Sequence, residues 1–425
     1  MAFSLDQGLA AGRNWAGNLR YAAADLACPG SVEELQETVA GARKVKALGT
    51  RHSFNAVADS SGVLVNLAML AGNPELDPAA RTVTVTAGTR YGELAGFLAG
   101  HGFALHNLAS LPHISVGGAV ATATHGSGTG NLAAAVCAVE MVTADGGLLR
   151  ADRTSPDFNG MVVSLGALGV FTRLTLTVEP AYQVRQQVYT ALPWAAVEEH
   201  FEEITSAAYS VSVFGSLAGP EAAQVWLKGR TDDGRPAGAA AEFFGARAAD
   251  GPRHPVPGMD PANCSEQLGI PGPWSERLPH FRLGFTPSNG DELQSEYLVA
   301  KADAPAALRA LRALSARITP LLQVCEIRTV AADEQWLSTA AGRDSAAFHF
   351  TWQPRQAEVE RLLPLLEAAL APLQARPHWG KLFTADPQRL RELYPQLARF
   401  RELAGRLDPE GKFANPFLAR TVLPG

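Results

Sequence analysis

Between Pro112 and Gly128 the chain reads Pro-His-Ile-Ser-Val-Gly-Gly-Ala-Val-Ala-Thr-Ala-Thr-His-Gly-Ser-Gly, without a single Lys, Arg, Asp or Glu. Side chains this small let backbone approach backbone, or let a diphosphate approach backbone amides, because no bulky group stands between them. Two readings follow. The segment binds phosphate, with Ser115, Thr122, Thr124 and Ser127 as neutral donors, or it packs a helix tightly on a sheet. It is not a P-loop, since no Lys follows the glycines. Gly126-Ser-Gly-Thr-Gly130 is not a Rossmann fingerprint either, because it neither joins strand to helix nor has an acidic partner about 20 residues on. A dinucleotide held here needs another fold.

The patterns around this run predict α+β rather than a doubly wound sheet. Ser31-Val-Glu-Glu34 starts a helix as a capping box, and Leu35 to Ala42 continue it. Lys44 to Leu48, Val63 to Leu67 and Thr82 to Thr86 read as strands, the last alternating with period two and so burying one face. Tyr91 to Ala99 is helical. Val136 to Thr143 and Phe171 to Val178 are strands, with a hairpin turn at Asp145-Gly146-Gly147. A boundary falls at Glu179-Pro180. The stretch from Gly251 to Pro279 is dense in Pro and Gly, and either covers a site or packs as an extended arm. Ala304 to Ile318 and Val359 to Leu373 are amphipathic helices, the second bent at Pro364. Val324 to Thr329 and Ala347 to Trp352 are strands.

At roughly 150 residues per domain, 425 residues hold two to three domains. Apolar residues at 47% and charged residues at 18% exclude a disordered or coiled-coil chain. A formal charge of −6 with no basic run excludes a nucleic-acid binder. No stretch of 18 residues is apolar enough to span a membrane. Cys28, Cys137, Cys264 and Cys325 are too scattered for a disulfide framework and point to ordinary, mostly buried thiols in a reducing compartment. No histidine or cysteine spacing suits a metal. Met1 to Asn14 lacks the basic and apolar regions of a secretory signal. The expectation is a cytoplasmic monomer working on small molecules, with no nucleic acid, membrane or metal.

Three further constellations stand out. Gly49-Thr-Arg-His-Ser-Phe-Asn55 follows a strand directly. It is read as a turn offering N–H groups to an anion and presenting His52, or as a polar surface loop. Glu326 and Arg328 lie at i, i+2 on an apolar strand, and His349 and Thr351 do the same on another. Such charges face a cavity, each other or water; an edge strand with a solvated face is the plain alternative. Lys381, in Arg376-Pro-His-Trp-Gly-Lys381, is a cation among aromatics, or a surface lysine.

The Gly49–Asn55 loop and Ser115-Val-Gly-Gly118 resemble flavoproteins of the vanillyl-alcohol oxidase superfamily, and within it the alditol oxidases, also called xylitol or sorbitol oxidases. The resemblance runs nearly end to end. It includes Asn14-Trp-Ala-Gly-Asn18, Ala109-Ser-Leu-Pro-His-Ile-Ser115, His254-Pro-Val-Pro-Gly-Met259, Gln294-Ser-Glu-Tyr297, Cys325-Glu-Ile-Arg-Thr329 and Arg376–Lys381. Asp408-Pro-Glu-Gly-Lys-Phe-Ala-Asn415 resembles the terminal segment of sugar-lactone oxidases in the same superfamily.

The resemblance implies an FAD-binding α+β domain over 1–180 and a substrate domain, helices on an antiparallel sheet, over 181–375. It implies a segment returning to the FAD domain over 376–425. FAD is bonded covalently to His52. Ala47, Leu48, Gly49, Thr50, Arg51 and Ser53 line it, Ser115, Gly118, Thr122, Ala123, Thr124 and His125 surround its pyrophosphate and ribityl chain, and Ser110, Val170 and His378 touch it. Several relatives carry a glycine where this chain has Arg51. Ser110, Glu326, Arg328, Thr351 and Lys381 hold a polyol, with His349 beside them, and Arg328, Lys381 and Glu326 are the expected catalytic groups. The implied reaction oxidises an alditol's terminal hydroxyl and passes electrons to O2. A sugar-lactone oxidase or dehydrogenase of the same fold is the first alternative, and a flavin- or saccharide-binding protein without turnover the second.

Overall fold

A computed structural model describes residues 12–234, 240–285 and 291–423. Most of the Met1–Asn14 stretch considered above, residues 1–11, lies outside them. Among the described residues three larger sheets carry the molecule, beside a two-stranded pairing of Phe103–Ala104 with Glu179–Pro180. The first is parallel, in the order Asp25–Ala27, Val63–Asn66, Val45–Leu48, with the Val32–Gly41 helix joining two of its strands. Ser31 caps that helix by accepting from the Glu34 N–H at 3.2 Å, while the Glu34 carboxylate reaches one residue past the expected box, to the Gly30 N–H. The second sheet has the order Glu75–Asp77, Thr82–Thr86, Val170–Thr177, Val136–Val142, Leu148–Asp152 and is antiparallel throughout. As the alternation of Thr82–Thr86 predicts, Val83 and Val85 are fully buried while Thr84 stays half-buried, its hydroxyl 2.9 Å from that of Thr175. These two sheets use residues 25–177.

The third sheet has ten strands and lies between residues 183 and 377. The strands that carry Glu326/Arg328 and His349/Thr351, Leu322–Val330 and Ser345–Trp352, are in its interior, so the edge-strand alternative is wrong. Register puts the polar residues in one row. Glu326 pairs with Phe214 on one side and with His349 on the other; His349 pairs with Glu296 across the Leu293–Ala300 strand. The His378 N–H then donates to the Glu296 carbonyl at 2.9 Å. Because side chains alternate faces, the intervening Ile327, Phe348 and Tyr297 point the other way, and the Tyr297 hydroxyl meets Glu367 of the Gln356–Leu370 helix.

The helix predicted over Ala304 to Ile318 is broken at Leu314 into Ala304–Ala313 and Ser315–Ile318. The predicted Val359–Leu373 helix is Gln356–Leu370 followed by a tighter turn, with Pro364 inside it. All four cysteines are free, but only Cys264 and Cys325 are buried; Cys28 is exposed and Cys137 half-buried, fewer buried thiols than expected. No helix of the described residues is long and apolar enough to cross a membrane.

Beyond the large sheet the chain turns back onto the first. Arg376–Pro377 still pairs with the Leu293–Ala300 strand, so the last segment begins within the large sheet. The Phe54 N–H then donates to the Gly380 carbonyl at 2.8 Å, and Asn55 donates to the Trp379 and Lys381 carbonyls at 2.8 and 2.7 Å. Further on, Asp408 accepts from the Lys412 and Phe413 N–H groups. Asn415 spreads its amide over the carbonyls of Ala56, Val57 and Asp59. Replacing Asn415 by Ala strands these buried carbonyls, so Asn415→Ala is expected to lower unfolding stability by about 1–3 kcal/mol. A denaturant midpoint unchanged from the native protein would mean the tail clamp contributes nothing.

Candidate active site

The strand Val45–Leu48 ends at Gly49, and the loop after it presses against the small-residue run. A Cβ on Gly49 would sit 2.6 Å from the Ser115 hydroxyl oxygen, so only glycine fits. The Ser115 N–H donates to the Thr50 hydroxyl at 3.3 Å, and that hydroxyl lies 3.0 Å from His52 Nδ1. The His52 ring stacks on Trp15, centroids 5.3 Å apart. Desolvation, helped by the nearby His113 and Arg90 charges, lowers the His52 pKa to about 4, so its ring is neutral. Arg51 has φ +66°, a left-handed conformation that favours glycine. That accounts for the glycine of relatives at this point. Arg51 accepts the strain with its guanidinium 6.0 Å from the Tyr21 ring and its carbonyl bonded to the Trp15 N–H.

The packing reading of the run from Pro112 to Gly128 holds for two of its glycines. Gly117 packs: a Cβ there would lie 2.9 Å from the Ala87 methyl. Gly126 packs too, against Asn107 and Leu108. Gly118, by contrast, is exposed, and Ala47, Gly49, Thr50, Arg51, Ser53, Thr122 and Thr124 are half-buried, while Leu48, Ser115, Ala123 and His125 are buried. Val170 opens the strand Val170–Thr177 and is fully buried. Small or hydroxyl-bearing residues thus make up most of this loop and run, and none of those named is acidic. The His113 Nδ1, buried nearby, has no hydrogen-bond partner. These residues fit the diphosphate and ring of FAD.

The polar row of the large sheet, by contrast, is charged. Glu296 is 1% exposed and has four side-chain nitrogens around it. Arg328 Nη2 donates at 2.9 Å, Lys381 Nζ donates to the second oxygen, His125 Nε2 lies at 2.9 Å and His349 Nδ1 at 3.3 Å. Burial opposes the ionised carboxylate, but Lys381, Arg328 and His125 outweigh it and hold its pKa well below the usual range. Lys381 Nζ also donates to His349 Nδ1 at 2.7 Å, and His349 Nε2 lies 3.2 Å from the Thr351 hydroxyl. Burial and the Lys381 charge lower the His349 pKa to about 4. Glu326, also buried, takes His280 Nε2 at 2.8 Å and stands 3.6 Å from Arg328 Nε. Ser110, Ser127, Ser210, His280 and Arg328 line a small cavity here. His378 lies 6.0 Å from the His125 ring, with Gly380 donating to its Nδ1.

The structure therefore links Glu326, Arg328, His349, Thr351 and Lys381 in one network around Glu296, and Ser110 lines the small cavity beside Arg328, whereas His52 belongs to the separate loop that packs on Ser115 and Trp15. Sequence reasoning missed Glu296, His280, Lys228, Arg90 and His113. Glu296 carried a usable signal, since Gln294 and Glu296 sit at i, i+2 before an apolar run, as Glu326 and Arg328 do. A larger surface groove beside Glu367 and Arg389 lies on the opposite face of the sheet, and its carboxylate is occupied by Tyr297 and Thr384.

Comparison with known proteins agrees with this geometry. Residues 23–152 match the FAD binding domain family, and residues 290–421 match the D-arabinono-1,4-lactone oxidase family. Cholesterol oxidase from B. sterolicum superposes with a TM-score of 0.77 over 96% of each chain at 15% identity, which shows the fold. The two family matches, on a fold of this kind, define an FAD-binding oxidoreductase of the vanillyl-alcohol oxidase superfamily. An alditol oxidase from a Streptomyces species is 51% identical over 97% of this chain and 99% of its own. An L-gulono-1,4-lactone dehydrogenase from Mycobacterium tuberculosis is 28% identical over 97% and 99%, and the Bos taurus L-gulonolactone oxidase 25% over 92% and 93%. The chain belongs to the alditol oxidase family.

The site carries a pH dependence. His280 and His349 are both held neutral, with pKa values lowered to about 4, whereas unfolded histidine titrates near 6.5. Between these values the unfolded chain binds more protons, so stability is full above pH about 6.5 and is lost as pH falls toward 4. Urea unfolding at pH 7 and pH 5 is expected to show the lower stability at pH 5. A pH-independent free energy over that window would contradict the buried neutral histidines.

Proposed function

We propose that the chain oxidises the terminal hydroxyl of open-chain alditols such as xylitol and sorbitol to the aldose, with FAD joined covalently to His52. The observation that carries this reading is the pair of cations, Arg328 and Lys381, sharing one buried carboxylate beside Glu326 and Thr351. A neutral polyol has neither charge nor a large apolar face. It is held by several hydrogen bonds, about 1 kcal/mol for a neutral one and about 1.5–3 kcal/mol to a charged group. Ser110, Glu326, Arg328, Thr351 and Lys381 offer such partners. Ordering a flexible hydrated chain opposes the gain, so the expected affinity is millimolar.

In this reading FAD, when bound, supplies the two-electron acceptor for the carbinol hydride and returns the electrons to O2 as hydrogen peroxide. Arg328 and Lys381 stabilise the alkoxide charge that develops as the hydroxyl proton leaves. Glu326 accepts from a substrate hydroxyl, and His349 keeps Lys381 and Thr351 in position. Ala47 to Ser53, Ser110, Ser115, Gly118, Thr122 to His125, Val170 and His378 form the proposed cofactor cradle. The proposed division of labour gives FAD residues 1–180, substrate residues 181–375, and the closing turn residues 376–425. The proposal includes a monomer in the cytoplasm.

A second reading, a sugar-lactone oxidase or dehydrogenase, is favoured by the family match over residues 290–421. Oxygen uptake with xylitol and sorbitol against a set of aldonolactones separates the two, and faster lactone turnover would select the second. His52→Ala is expected to release the flavin on acid precipitation, whereas the native pellet stays yellow. A colourless native pellet would end the covalent assignment. Arg328→Ala and Lys381→Ala are each expected to depress turnover at least 100-fold with FAD content retained. Equal loss of both would make these residues supports of the fold.

A further inference from the structure

Behind Glu326 lies a second layer that the proposed reaction does not use. Lys228, on the strand Glu221–Arg230, is 1% exposed. Its Nζ faces three acceptors: the Leu278 carbonyl at 2.5 Å, the Pro279 carbonyl at 3.1 Å and His280 Nδ1 at 3.0 Å. An ammonium has three hydrogens and no lone pair, so the three acceptors match its full donor set. The ionised Glu326 carboxylate on the far side of the ring can only accept, so the neutral ring carries its hydrogen on Nε2 and Nδ1 accepts from Lys228. The Nε2–H donates to Glu326 Oε1 at 2.8 Å. The ring cannot swing away, because Phe214 and Trp226 stand edge-on to it at 5.6 and 5.2 Å.

The consequence appears one atom further on. Glu326 and Arg328 are neighbours on one face of a strand, both buried, and could close into a tight pair. They do not: Glu326 Oε2 stands 3.6 Å from Arg328 Nε, beyond a hydrogen bond, and that Nε has no hydrogen-bond partner although it is buried. Arg328 spends its other nitrogens on Glu296 and the His125 carbonyl. An unsatisfied buried donor beside an underused acceptor is costly unless a third group bridges them. A hydroxyl does this, accepting from Nε and donating to Oε2. A small cavity lined by Ser110, Ser210, His280 and Arg328 lies beside the Arg328 side chain.

We propose that His280, locked by Lys228, is a positioning residue that holds Glu326 off Arg328, leaving a gap that one secondary hydroxyl of the alditol bridges. This rests on the alditol reading of the site. The groups facing His280 are Lys228, Glu326, Phe214, Trp226 and Phe281, with the Arg328 charge nearby, and the hydrogen-bond partners of its ring nitrogens are Lys228 and Glu326. The gap discriminates between substrates. An apolar carbon there leaves both Arg328 Nε and Glu326 Oε2 without partners, which is how a site built for a hydroxyl rejects an analogue lacking it.

The test compares His280→Leu, which removes the donor, with His280→Gln, whose amide N–H takes the place of Nε2–H. The flavin-loaded proteins are assayed with xylitol. The leucine variant is expected to raise KM at least tenfold, with kcat falling by less and FAD per chain at the native level; glutamine is expected to recover most of the loss. A KM within twofold of native in the leucine variant overturns the proposal. So does a parallel fall of kcat and FAD content that glutamine fails to rescue. Should the leucine variant not accumulate as folded protein, the native enzyme decides with mono-deoxy alditols. Loss of one particular secondary hydroxyl is expected to cost at least tenfold in kcat/KM, and losses spread evenly over all positions overturn the gap. Native protein that oxidises no alditol refutes the proposed function itself; native turnover with an indifferent His280 refutes only this inference.

Discussion

A carboxylate with almost no contact with water holds this cleft together. Ionised Glu296 would be prohibitively costly in the interior without compensation, and the compensation is Arg328 on one oxygen, Lys381 on the other and His125 alongside. Removing one member of such a buried set typically costs about 3–5 kcal/mol, because the charge left behind has no partner. The arrangement therefore orders the cleft more than it stabilises the fold. It holds Arg328 Nη2 on one oxygen and Lys381 Nζ on the other oxygen of a single carboxylate.

Its components come from three parts of the chain, and this explains the architecture. Glu296 and Arg328 are set by strand register within the large sheet. His125 arrives at the end of the small-residue run, in the lobe that also carries His52. Lys381 arrives on the turn that follows the last strand of the sheet, and the same turn is bonded through the Gly380 carbonyl to Phe54, two residues past His52. The carboxylate thus ties both lobes and the returning segment at one point. Placement of substrate against cofactor depends on that knot, since about 1 Å of misplacement is enough to cost a hundredfold in rate.

Much of this was legible in the chain. Period-two alternation located Thr82–Thr86, and charges at i, i+2 on apolar strands located Glu326, Arg328, His349 and Thr351. The glycine after the strand marked the turn that presents His52, but not its tight contact with the Ser115 hydroxyl. What escaped was tertiary. His280 and Lys228 are 52 residues apart in sequence and meet only because the Pro- and Gly-rich arm folds back over the strand Glu221–Arg230. No local pattern encodes that contact. The break at Leu314 escaped as well, since the apolar stripe of Leu308, Leu311, Leu314 and Ile318 continues across it. Glu296 escaped although its pattern was visible, because a lone acid on a strand reads equally well as a solvated face.

Glu296→Gln tests the central claim most directly, since it keeps shape and hydrogen-bonding capacity while removing the charge. If the carboxylate organises the cleft, the variant is expected to fold and bind FAD, yet to lose at least 100-fold in the rate at which xylitol bleaches the flavin under anaerobic mixing. Bleaching at close to the native rate would contradict the account, for it would show that Arg328 and Lys381 hold their places without the anion between them.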